Sequence, residues 1–163
     1  MSHSRQDQLD RCVELVYDEF VDPQPHTYYI TSQQVRMLAK DQFDVDRSEA
    51  ADIAALFDDR YIRERPTKNS NLFNIEGIQR AAELGKDVPV DDDLQDEIVG
   101  FLHDAYLESP SKPQVNRDDF HEGVDGSETA IDLNLYVLKL MGWVETHTHM
   151  GIGDAGYRSV ELT

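Results

Sequence analysis

The chain has 163 residues, 33 of them Asp or Glu and 15 Lys or Arg, for a formal net charge of −18, with 39% hydrophobic residues and one cysteine. That apolar fraction suffices for packed cores and excludes a disordered acidic tail, and the lone Cys12 excludes an intramolecular disulfide or a thiolate metal cluster. No window approaches the roughly 18 apolar residues of a membrane span, and the first residues hold no apolar signal core, so a folded cytoplasmic protein is expected.

Apolar residues recur with helical spacing at Leu9, Val13, Val16, Tyr17 and Phe20. Pro23 and Pro25 end that helix and lead into extended chain. A Thr31 to Gln34 capping box opens a second helix carrying Val35, Leu38 and Ala39. A third helix starts at Asp46 with Glu49 and runs to Tyr61 and Ile62, where the period turns extended. A hairpin follows, its return strand reaching Ile75, and Asn74 to Ala81 begin a further helix that Gly85 ends.

The pattern then repeats. Leu94, Ile98, Leu102, Ala105 and Tyr106 form a helical stripe that meets Pro110 and Pro113, and Asn116 caps a helix carrying Phe120. A third helix runs from Ser127 through Met141 into Trp143 and Val144, and a hairpin follows between residues 143–149 and 157–162. Leu9 to Leu94 and Ile30 to Val115 share an offset of 85 residues, which supports an internal duplication. The boundary falls in residues 85–93, giving units at 1–86 and 90–163.

Three helices and a hairpin, twice over, resemble the winged helix-turn-helix superfamily. The stretch Ile131, Leu135, Leu138, Gly142 and Val144 is similar to that family's third helix, its terminating glycine and its first wing strand. The first unit matches at Ile53, Leu56 and Ile62 and departs at Glu49 and Arg60. The resemblance implies a mainly α fold with small β wings (α+β), and a DNA-binding or protein-docking role without catalysis.

No residue pattern points to an enzyme. Gly151, Gly153 and Gly156 match G-x-G-x-x-G, but a strand follows where the nucleotide fingerprint needs a helix, so a hairpin tip is expected and no cofactor. His147 and His149 face one side of a strand, where a third group such as His121 or His103 would complete a metal set. Exposed wing residues are the commoner case, and no metal is expected.

The halves differ in charge. Residues 1–86 hold 11 basic and 16 acidic side chains, net −5, and residues 87–163 hold 4 and 17, net −13. The excess of aspartate and scarcity of lysine resemble haloarchaeal cytosolic proteins; in molar salt the Debye length is about 3 Å, so acidity does not exclude a DNA partner. Arg60, Arg63, Arg65 and Lys68 fall on the first wing and its approach, where winged helix proteins meet phosphates, or else they pair with neighbouring acids. Base readout would rest on Gln33, Gln34, Arg47 and Ser48.

In the second unit Leu133, Val137 and Leu140 form a second apolar stripe about 160° from the first at 100° per residue. It packs within the molecule, on a homodimer mate or on a partner protein. A DNA-associated, transcription-related regulator is therefore expected, with duplex DNA on the first unit and packing or dimerisation on the second. The alternative is a tandem winged helix adaptor that binds protein and no nucleic acid.

Overall fold

A computed structural model describes residues 4–65, 71–147 and 157–163. The fold is mainly helical with small antiparallel sheets, an α+β architecture, and divides into two compact units. One comprises Met1–Asp22 and Tyr28–Val88, the other Pro23–Thr27 and Pro89–Thr163.

In the first unit α1 (Arg5–Val21) starts where the Ser4 hydroxyl accepts the Asp7 amide, and α2 (Ser32–Phe43) where Thr31 and Gln34 close the reciprocal capping box. Both devices bond amides that a helix start otherwise leaves unpaired. Asp44 ends α2 in a left-handed conformation, and Asp46 then caps α3 (Arg47–Tyr61). Ser32 Oγ donates to Asp58 Oδ2, tying the start of α2 to α3. β1 (Ile62–Arg63) pairs antiparallel with β2 (Leu72–Phe73), and Ile30 bridges to Asn71. Asn74 caps α4 (Ile75–Glu83), beyond which Gly85 takes the positive φ of 93° that favours glycine.

The α1 stripe is the centre of that unit's core: Val13, Phe20, Val35, Ile53, Phe57 and Phe73 are all fully buried. Phe20 meets Phe73 edge-on at 5.3 Å between ring centres, a favourable aromatic geometry. Cys12 is buried as well, and burial pushes its thiol up to about 11, so it packs as a small apolar group rather than a reactive thiolate.

Gly77 on α4 is closed in by that core, since a Cβ there would lie 2.3 Å from the Phe73 ring. Gly77→Ala is expected to lower stability by about 1–3 kcal/mol through overpacking, despite alanine's better helix propensity. Gly100 on α5 (Asp92–Glu108) has nothing within 4 Å of such a Cβ, so Gly100→Ala is expected to raise stability by about 0.5–1 kcal/mol. Urea denaturation of both variants checks the opposite signs.

The second unit begins with α5, capped by Asp91, whose carboxylate accepts the Asp93 and Leu94 amides. β3 (Val115–Asn116) follows, and its last residue Asn116 also caps α6 (Arg117–Gly123). α7 (Glu128–Leu140) leads through Gly142 to β4 (Val144–His147), and β5 (Ser159–Leu162) lies between β3 and β4 in an antiparallel sheet. Ile98, Leu102, Phe120, Ile131, Leu135 and Val160 form the centre of its core. A 3-10 turn, Pro25–Thr27, lies against α7 and belongs to this unit. Asn134, fully buried on α7, accepts the Asp91 amide and donates to the Pro89 carbonyl, so the amide holds the start of α5 in place.

Each unit thus runs helix, helix, helix and hairpin. In each, the residue before the second helix's cap pairs onto the hairpin's return side: Ile30 with Asn71, Val115 with Val160.

Candidate nucleic-acid interface

α2 and α3 pack along their lengths in the first unit, and the groove between them, about 680 Å³, opens to solvent. Gln33, Arg36, Met37 and Lys40 line it from α2, and Arg47 and Ser48 from the first turn of α3. All six are exposed. Among the described residues none that lines the groove is acidic, and Arg36, Lys40 and Arg47 form no ion pair. Asp46 sits at the groove's α3 end, with its carboxylate accepting the Glu49 amide at 2.8 Å. The fold brings three cations together on a chain with more than twice as many acids as bases, with Arg36 close enough to Asp58 to attract its carboxylate.

The residues expected to read DNA are distributed as follows. Gln33, Arg47 and Ser48 meet in the groove. Gln34 is spent on the capping box, its Oε1 accepting the Thr31 amide at 2.8 Å. Arg60 donates to Gln6 Oε1 at 2.9 Å, which draws it toward α1. Arg63 stands exposed on β1, and the Arg65 guanidinium lies 4.1 Å from the centre of the Tyr29 ring. Lys68 lies outside the described residues, as do His149 and the glycine-rich loop at 151–156. Arg36 and Lys40 were missed; their signal was the spacing of Gln33, Arg36 and Lys40, which repeats once per helical turn.

Elsewhere in the first unit Arg11, Arg80 and Lys86 are paired with acids. Arg80 grips Asp10 with two hydrogen bonds of 2.9 and 2.8 Å, and that arginine holds the Asp10 carboxyl below its usual range. Lys86 reaches both Asp18 oxygens at 2.9 Å.

A second polar cluster is enclosed in the second unit. Asp132 on α7, its side chain 3% exposed, accepts from the Tyr157 hydroxyl at 2.7 Å and from His121 Nε2 at 2.8 Å. Arg117 Nη2 lies 3.1 Å from Glu128 and 3.7 Å from Asp132. Arg117 and His121 stand four residues apart on α6 and face Glu128 and Asp132, four apart on α7, so a guanidinium and an imidazole clasp two carboxylates across the helix pair. Burial, followed by the Asp132 carboxylate, raises the Tyr157 hydroxyl far above the usual phenol range.

His26 completes this cluster from the 3-10 turn. Its Nε2–H donates to the Asp132 carbonyl at 3.0 Å, and its ring lies edge-on to Tyr157 at 4.7 Å. Burial, and secondarily the Lys139 cation, push the ring down to about 3, so it is neutral at pH 7. The polar residues Asp132 and Asn134 in the apolar run at 131–138 were this site's signal in the sequence.

The second apolar stripe of α7 is largely buried in the single chain. Leu133 is 0% and Val137 6% exposed in the single chain, and Leu140 is half-buried. Among the histidines of the candidate metal set, His121 groups with Glu128 and Asp132 while His147 groups with Glu145 and Glu161, and His149 lies outside the described residues. No helix among the described residues is long and apolar enough to cross a membrane. Comparison with protein-family models, curated proteins and solved structures returns no match.

Proposed function

We propose that this chain is a non-enzymatic, DNA-associated protein of tandem winged helix type, serving a transcription-related role, whose first unit holds the duplex backbone in the α2–α3 groove. The observation that carries this reading is the set of Arg36, Lys40 and Arg47, exposed in one groove with no acidic lining residue and in no salt bridge among the described residues. Cations gathered in an acid-free groove on so acidic a surface suit a polyanion. Gln33 and Ser48 add neutral donors in the same groove. The rest of α3 exposes Glu49, Asp52 and Asp59, which repel phosphates, so backbone attachment dominates over base reading.

The protein-docking alternative draws on Leu133, Val137 and Leu140, of which the first two are buried in the single chain and Leu140 is half-buried.

Three phosphate contacts contribute about −2.7 to the slope of log K against log salt. Duplex DNA titrated at rising KCl is expected to bind the wild type, and a triple Arg36→Ala, Lys40→Ala, Arg47→Ala variant to lose about that much slope and more than tenfold in affinity at about 0.1 M salt. An Arg63→Ala, Arg65→Ala pair reports separately on the wing. Absence of wild-type binding at every salt, or a triple variant that binds like wild type, would sink the reading.

A further inference from the structure

The β4–β5 ribbon turns Val144 and Val160 into the core, and on its other face Glu145 is exposed and Glu161 is largely covered. On that face Glu145 lies directly opposite Glu161, and His147 lies opposite Ser159. His147 Nε2 is 2.8 Å from Glu161 Oε1, and one ligand atom from each of Glu145, His147 and Glu161 falls within 4.8 Å of the other two. We propose that these three side chains form a binding site for a borderline divalent cation, zinc in the first place, with a fourth position left to water or a further ligand.

Geometry supports this on three counts. A tetrahedral zinc with bonds near 2.1 Å holds its ligand atoms about 3.4 Å apart, so closing from 4.8 Å or less asks only for side-chain adjustment. The three residues also sit on two paired strands, which fixes their Cα positions before any ion arrives. Finally, like charges directly opposed across a strand pair destabilise it, and a dication between Glu145 and Glu161 turns that repulsion into attraction. A neutral imidazole with two carboxylates carries −2, which one such ion balances.

The same donor set occurs a second time, and the contrast decides between them. At His121, Glu128 and Asp132 the Arg117 guanidinium already lies 3.1 and 3.7 Å from the two carboxylates, so the place of a cation is taken. Neither Glu145 nor Glu161 pairs with Lys or Arg among the described residues. The imidazole donor favours zinc over magnesium or calcium, which prefer all-oxygen shells of six or more ligands. The sequence sets His147 beside His149, which lies outside the described residues; the partners that the described residues give His147 are glutamates.

Zinc chloride titrated calorimetrically into the full chain in about 1 M KCl, where diffuse attraction to the acidic surface is screened, tests this. One zinc per chain is expected, weakened at least tenfold by His147→Ala and by Glu161→Gln, and unchanged by His121→Ala. Circular dichroism checks that each variant stays folded. No one-to-one binding, wild-type affinity in Glu161→Gln, or a loss in His121→Ala that His147→Ala does not share would overturn the proposal.

Discussion

Asp132→Ala is expected to lower the stability of the protein by about 3 kcal/mol or more, the loss typical of breaking a buried charge pair from one side. The carboxylate is 3% exposed and serves three groups: the Tyr157 hydroxyl, His121 Nε2 and the Arg117 guanidinium. Removing it leaves the phenol with His121 alone and leaves a guanidinium whose Nε is already buried without a partner. Arg117 keeps Glu128, which limits the penalty to the lower part of that range. Asp132→Asn retains the shape and one acceptor, and is expected to cost about 1–2 kcal/mol. Urea unfolding at pH 7 distinguishes the two, and a cost below about 1 kcal/mol for Asp132→Ala would mean that the cluster does not hold α6 to α7.

The second large effect is a loss of stability in acid that originates at His26. The ring's folded value of about 3 lies below its ordinary 6.5. Between those values the unfolded chain binds a proton that the folded chain refuses, so stability falls as pH drops from 6.5 toward 3. At about 1.4 kcal/mol per unit, the difference between pH 7 and about pH 4 is roughly 3 kcal/mol. Asp10 acts in the same direction at lower pH, since its depressed carboxyl loses its contribution as pH falls through its folded value. His26→Phe keeps an aromatic ring beside Tyr157 and removes the titration. Its stability curve is expected to lie nearly flat over this window once the contribution common to both proteins is subtracted. Curves that run parallel for the two proteins would show that the ring is protonated, or open to water, in the folded state.

What the sequence revealed about this protein follows the range of the forces involved. Helix starts were legible because Thr31 with Gln34, Asp46, Asn74, Asn116 and Ser127 cap within three residues of themselves. β3 was not, because two residues of extended chain become a strand only by pairing with β5, with Val115 against Val160. The groove was half legible. Arg47 and Ser48 stood out at a helix start, while Arg36 and Lys40 were passed over in favour of the denser charge at residues 60–68. Density along the chain is a poor guide to density in space, and Arg60 and Arg65 prove to be engaged with Gln6 and Tyr29. The second stripe on α7 was understood to need a cover, but periodicity carries no information about what supplies it. The Asp132 cluster draws on α6, α7, the approach to β5 and the 3-10 turn, so no local window contains it.

The allegiance of Pro23–Thr27 bears on how this molecule can be dissected. Five residues that follow α1 in the chain belong in space to the body formed by Pro89–Thr163. A fragment cut at Pro89 would therefore be an unfinished domain, lacking the imidazole that lies edge-on to Tyr157 and caps the Asp132 carbonyl. The fragment upstream of the cut would carry that imidazole with nothing to bury it. The two halves of the gene product are for this reason not the two halves of the fold, and work on isolated pieces has to graft residues 23–27 onto the second or accept a body with an open flank.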